Sequence, residues 1–143
     1  IVSPPGVGKT TLLRELIRVI SERGVRTAVL DERGEISASG GFDLGRCSDV
    51  LTGAAKELGA SMLLRGMNPQ VIAMDEISRE NDRAVIEQIL GCGVAILASA
   101  HGRDRQDMLQ RPMYRGLFDM GVFKNILTIY RNGDSRRYVL EKL

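Results

Sequence analysis

The apolar positions Leu12, Leu13, Leu16, Ile17 and Ile20 recur at the three- and four-residue spacing of one helical face. They predict a helix over residues 10–23, with Gly24 as its C-terminal stop. The next apolar run, residues 25–30, is short and β-branched, which reads as a buried strand. Residues 31–53 carry Gly34, Gly40, Gly41, Gly45 and Gly53 and read as one long loop, of a length that is uncommon unless functional. A second helix is expected over 55–66, ending before Asn68-Pro69. Residues 71–74 form another buried strand, 81–90 a helix closed by Gly91, and 94–98 a further strand. Residues 102–124 predict a short helix broken near Pro112. Two strand-like runs, 126–131 and 136–140, flank Asn132-Gly133, a strong hairpin signal.

Strands alternating with helices imply an α/β fold, a mostly parallel sheet covered on both faces. The terminal hairpin adds antiparallel pairing at an edge. At 143 residues the chain fits one domain, residues 1–143, with 43% hydrophobic and 27% charged residues. A net charge of +2 and only 4% aromatic residues give no basis for a nucleic-acid groove, which combines positive charge with stacking rings. Cys47 and Cys92 form neither a CxxC pair nor a metal-ligand spacing, so they read as small buried apolar groups in a reducing, cytoplasmic setting. No apolar run reaches the roughly 20 residues that cross a bilayer. The chain opens with Ile1-Val2 and enters a glycine loop at once. Such a loop follows a strand, and two residues make a poor one, so the expectation is a fragment whose upstream strand and N-terminal domain are missing.

That loop carries the clearest chemistry. SPPGVGKTT meets the pattern G-x-x-x-x-G-K-[ST], the Walker A loop, except that Ser3 replaces the first glycine. Small residues let successive backbone N–H groups turn inward on phosphate oxygens, and the helix that follows adds its positive end. Ser3, Pro4, Pro5, Gly6, Val7, Gly8, Lys9, Thr10 and Thr11 are therefore the candidate nucleotide cradle. Lys9 is expected to reach the β- and γ-phosphates, the Thr10 hydroxyl to ligate Mg²⁺, and Thr11 to meet the α-phosphate.

The strand over 71–74 runs straight into Asp75-Glu76. Acids at the carboxyl end of a parallel strand sit beside the ligand crevice. Asp75 can hold Mg²⁺ through water, and Glu76 can orient and deprotonate an attacking water. The strand over 94–98 ends in Ser99-Ala100-His101-Gly102, which places Ser99 and His101 next to those acids. Asp31-Glu32-Arg33-Gly34-Glu35 follows a third strand end, so Glu32 and Glu35 rival Glu76 as the water-activating group. Arg33, Arg65, Arg79, Arg103 and Arg111 lie in loops or at helix ends, where an arginine can act on a phosphate across a subunit boundary.

Five stretches in order, SPPGVGKTTLLREL, LDERGEI, DVLTG, LLRGMNPQVIAMDEI and CGVAILASAHG, resemble the stage III sporulation protein AA family of bacterial ATPases. More loosely they are similar to the type II secretion and type IV pilus ATPases. In those enzymes an Arg-x-x-x-Pro segment precedes an acidic strand end and a Thr-x-His segment follows. Arg65, Pro69, Glu76, Arg79 and His101 occupy the matching places. The Asp75 position is commonly glycine there, and their catalytic acidic-box glutamate falls near Glu35. The resemblance implies a RecA-like P-loop NTPase core that uses ATP and Mg²⁺. It further implies a homo-oligomeric ring of the hexameric kind, at most peripheral to a membrane. Its implied partners are membrane-channel proteins of a secretion-like complex between mother cell and forespore. The alternatives are a nucleic-acid-dependent RecA-like ATPase and a non-catalytic nucleotide-binding scaffold. A small-molecule kinase would need an arginine-rich lid, which the sequence does not show.

Overall fold

Why a two-residue strand can hold an interior place in a sheet is visible in its neighbours. In the computed structural model, which describes residues 1–38 and 41–143, β1 is only Val2–Ser3. Val2 lies between Ala100 of β5 (Ala95–His101) and Thr128 of β6 (Asn125–Asn132), so both of its edges are paired. Gly40 of the glycine-rich stretch lies outside the described residues.

The remaining elements are α1 (Lys9–Glu22), β2 (Thr27–Asp31), β3 (Ser48–Thr52), α2 (Lys56–Gly66), β4 (Val71–Glu76), α3 (Asn81–Gly91), α4 (Arg105–Leu109), α5 (Pro112–Asp119) and β7 (Ser135–Lys142). They build one sheet of order β3-β2-β4-β5-β1-β6-β7. Every pairing is parallel except β6 with β7. Because the β strands alternate faces, the sheet has two cores. Leu13 and Ile17 of α1 pack on Val29 and Ala73, together with Ile36 and Leu44. Leu63, Val85, Ile86, Ile89 and Leu117 cover Ala28, Leu30, Ile72 and Met74 on the other face. Each fully buried Leu or Ile contributes about 1.5–3 kcal/mol of transfer free energy.

The doubly covered, mostly parallel α/β sheet and its terminal hairpin match the expectation, with two corrections. Ser48–Thr52, read as loop, is the edge strand β3, paired in parallel with β2. Its exposed or half-buried pattern hides it, because an edge strand needs no continuous apolar run. The helical stretch over 102–124 is interrupted near Pro112 as expected: α4 ends at Leu109, and Pro112 opens α5, where its missing N–H has no partner to lose. The hairpin turn is Gly133-Asp134 rather than Asn132-Gly133, since Asn132 pairs with Ser135. Gly133 has φ 61 at the first turn position, where a type II′ turn needs glycine. Two strands also run further than their apolar stretches: β4 includes Asp75-Glu76 and β5 includes Ser99 and His101.

Candidate functional site

The loop between β1 and α1 is held by its own atoms. Gly8, at φ 107, is the N-cap of α1, a left-handed conformation that side chains resist. Val7 is buried in the core. Ser3 is fully buried, and its hydroxyl donates to the Pro4 carbonyl at 2.9 Å. The Lys9 ammonium donates to the carbonyls of Ser3 (3.1 Å) and Pro4 (3.3 Å). Only 7% of Lys9 is exposed. Burial pulls its pKa below the ordinary lysine value, and the charge of Glu76 opposes the shift.

A β-bulge brings Glu76 to that lysine. Met74 pairs with Ala98, but Glu76 pairs with Ser99, so Asp75 is an extra residue on β4. Strict alternation would put Glu76 on the face of Met74, away from α1. The one-residue slip sets it level with Ser99, on the face of Leu97 and α1. Glu76 Oε2 then lies 3.0 Å from His101 Nε2, and His101 Nδ1 lies 2.8 Å from Lys9 Nζ. An ammonium can only donate, so Nδ1 accepts and the imidazole proton sits on Nε2, donating to Glu76. Lys9, His101 and Glu76 thus form one hydrogen-bonded line from the loop to the end of β4. Arg111 fixes its middle member by donating to the His101 carbonyl at 2.8 Å.

Asp75 is turned toward a residue that sequence reasoning missed. Lys56, 5% exposed at the start of α2, lies 3.4 Å from Asp75 Oδ1 and 3.4 Å from Asp82 Oδ1, and donates to the Glu76 carbonyl. A signal existed: a lysine in the first turn of a helix opposes the helix dipole, and needs a reason to be there. Asp82 also accepts from the backbone N–H groups of Ser78 (2.8 Å) and Arg79 (2.9 Å), fixing the turn after β4. Burial raises the Asp75 pKa above the usual carboxylate range, with Lys56 pulling it back. Asp75 Oδ1 is buried with the Lys56 ammonium as its ion-pair partner, at a distance long for a hydrogen bond.

The acidic segment after β2 is clamped from two sides. Buried Asp31 accepts from the backbone N–H groups of Ile36 (3.1 Å) and Ser37 (2.8 Å) and from the Ser37 hydroxyl (2.8 Å). Arg14 of α1 donates to the carbonyls of Glu35 (2.5 Å) and Ile36 (2.7 Å) and stacks over Phe42 at 3.6 Å. Neither Asp31 nor Arg14 was singled out for this clamp from sequence. Together they set Glu35 at the cleft while its side chain stays exposed, 3.9 Å from Arg33. Glu32 pairs with Arg79 at 3.3 Å, and both line a small adjoining pocket shared with Glu35, Asp75 and Glu76.

These groups line one cleft of about 390 Å³ at the carboxyl end of the sheet. Pro5, Gly6, Gly8, Lys9, Thr10 and Thr11 come from the loop and α1, Asp75, Glu76, Ser99 and His101 from the strand ends, and Glu35 from the acidic segment. Ser3, Pro4 and Val7 of the expected cradle do not line it. Glu32, Arg33, Arg65, Arg79, Arg103 and Arg111 also lie outside it, whereas Arg136 of β7, overlooked in the sequence, is part of it. Among the described residues no group of three His, Cys, Asp or Glu side chains could hold a metal unaided. Magnesium does not require one, since it takes a few protein oxygens together with phosphate oxygens and waters; the Thr10 hydroxyl and the Asp75 carboxylate, which both line the cleft, are oxygen donors of that kind.

The sporulation stage III protein AA family matches residues 1–139. The chain is 36% identical over 140 residues to the stage III sporulation protein AA of Bacillus subtilis, covering 92% of this chain and 46% of that protein. In three dimensions it is similar to the VirB11 ATPase of the Brucella suis type IV secretion system, in complex with sulphate, with TM-score 0.73 at 17% identity over 99% of this chain and 46% of that one. It is similar to the Legionella pneumophila ATPase DotB with TM-score 0.64 at 17% identity, over 99% of this chain and 44% of the other. The chain therefore spans less than half the length of each of these proteins. No described helix is long and apolar enough to cross a membrane.

Proposed function

Because the chain belongs to the stage III sporulation protein AA family, we propose that it binds Mg-ATP in the cleft at Lys9 and hydrolyses it, as the motor part of a ring-forming subunit. The observation that carries this reading is the line Lys9–His101–Glu76, which joins a phosphate-binding loop to a carboxylate able to accept a proton. Backbone N–H groups at Gly6, Gly8 and Lys9 receive the polyphosphate. Lys9, desolvated and resting on carbonyls, exchanges those partners for β- and γ-phosphate oxygens, which charge-assisted bonding favours. Thr10 and Asp75 would hold Mg²⁺; when bound, the ion neutralises charge on the β- and γ-oxygens.

Glu76 then orients a water and takes its proton, a role worth roughly 10²–10⁴-fold in rate. Glu76 is preferred to Glu35 because its side chain is 33% exposed against 57%, and because His101 holds it. When Lys9 turns to phosphate, His101 Nδ1 loses its donor, so the imidazole is the group placed to register an occupied site. Rings coupled to a secretion-like membrane complex are the functional setting that similarity to the VirB11 and DotB ATPases supports. ATP turnover of the full-length protein, measured against concentration with the assembly mass recorded in parallel, tests this. The expected result is turnover that rises cooperatively as rings form. Saturable Mg-ATP binding with no turnover in assembled rings would leave a nucleotide-binding scaffold and end the motor reading.

A further inference from the structure

The cleft holds a cation that no part of the loop motif supplies. β6 runs parallel to β1, so its end and the start of β7 lie at the same end of the sheet as the glycine loop. From Thr128, level with Val2, β6 continues to Asn132, four residues or about 13 Å further along. The chain turns at Gly133-Asp134 and returns past the loop at Arg136. A side-chain carbon built on Gly8 would meet the Arg136 guanidinium carbon at 3.4 Å, with Nε and Nη1 at 3.6 Å. The guanidinium therefore lies against the bare Gly8 backbone and lines the same cleft as Lys9. Among the described residues no acid comes within ion-pair distance of it.

Resting on the nucleotide reading, we propose that Arg136 is a phosphate-contacting residue, supplied by the chain's own C-terminal hairpin, that closes the loop over the polyphosphate. Lys9 and Arg136 bring two like charges into one cleft, an arrangement that an anion bridging them relieves. A planar guanidinium presents paired N–H groups to phosphate oxygens, which a lysine cannot reproduce. Glu76 and His101 are engaged with Lys9 at the water-attack end. Arg136, beside Gly8, is placed for the part of the polyphosphate that ATP and ADP share. Its removal then weakens both nucleotides alike. Arg137 faces the other side of β7 and lines no part of the cleft, so it serves as the control.

The test is a titration of the full-length protein with N-methylanthraniloyl ADP, followed by competition with ATP, for wild type, Arg136→Ala, Arg136→Lys and Arg137→Ala. Arg136→Ala should weaken both nucleotides roughly tenfold or more, the loss expected for a charge-assisted hydrogen bond. Arg136→Lys should recover part of that loss, and Arg137→Ala should stay within about twofold of wild type. Unchanged affinity in Arg136→Ala, with tight binding by the wild type, overturns this inference alone. No binding by wild type overturns the nucleotide reading as well. The alanine variant removes an exposed side chain, and the lysine variant keeps length and charge, so loss of folding cannot imitate the pattern.

Discussion

Replacing Lys56 by methionine removes the cation that two buried carboxylates share while keeping most of the side-chain volume. Lys56, Asp75 and Asp82 are 5%, 8% and 2% exposed, so bulk water cannot solvate the acids left behind. Breaking a buried ion pair by deleting one partner costs roughly 3–5 kcal/mol. With 143 residues and about 2.1 cal/mol/K per residue, unfolding entropy is about 300 cal/mol/K, so the loss lowers Tm by roughly 10–17 °C. The pH dependence has a definite sign. Burial already holds the Asp75 pKa above its ordinary value, and Lys56 is the largest influence lowering it. Without Lys56 the folded state binds a proton at Asp75 more readily than the unfolded chain does, so acidification favours the fold. The difference in Tm between wild type and Lys56→Met should therefore shrink as pH falls from neutral through the raised Asp75 range. Thermal unfolding by circular dichroism at a series of pH values reads both effects. A Tm within about 3 °C of wild type at neutral pH, or a deficit that grows on acidification, would mean that Lys56 does not compensate these buried acids.

Three further outcomes follow from the same geometry. Glu76→Gln should lower kcat roughly 10²–10⁴-fold while Mg-ATP affinity is retained, and Glu35→Gln should change kcat only a few-fold; the reverse order in steady-state assays would move the base to Glu35. Asp31→Ala leaves the amides of Ile36 and Ser37 without their acceptor, and should cost about 2–4 kcal/mol in urea unfolding; an unchanged midpoint would mean the loop is held by Arg14 alone. Lys9→Met should raise the Tm of the nucleotide-free protein and abolish its further rise with Mg-ATP. The sign follows from the lowered Lys9 pKa: the unfolded chain binds more protons between the folded value and the ordinary 10.5, so charged Lys9 opposes folding at neutral pH and wild type regains stability as pH rises through that window.

Much of the fold was legible because helices α1 and α3 and the strands around 71–74 and 94–98 are marked by periodicity or by unbroken apolar runs. β3 was hidden because an edge strand alternates weakly, and it sits between Gly45 and Gly53 in a glycine-rich stretch. At the candidate site, Gly6, Gly8, Lys9 and Thr10, which line the cleft, could be picked out from spacing alone, since a glycine loop that opens a helix is a local structure. The roles of Lys56, Arg14 and Arg136 could not. Each reaches the cleft or its supports across the sheet or from another element, through pairings that no local pattern encodes. The bulge at Asp75 belongs to the same class: it is a property of how β4 registers on β5, and it decides which of two adjacent acids faces the loop.

One event carries the proposed function: the grip of the Gly6–Lys9 loop on a magnesium-bound triphosphate. Isothermal titration of Mg-ATP into the folded, full-length protein, beside Lys9→Ala, reads it without assuming turnover or assembly. Saturable heat at a stoichiometry near one per chain in wild type, absent in the variant, is the predicted result. A flat trace for wild type, or equal binding by Lys9→Ala, would contradict it.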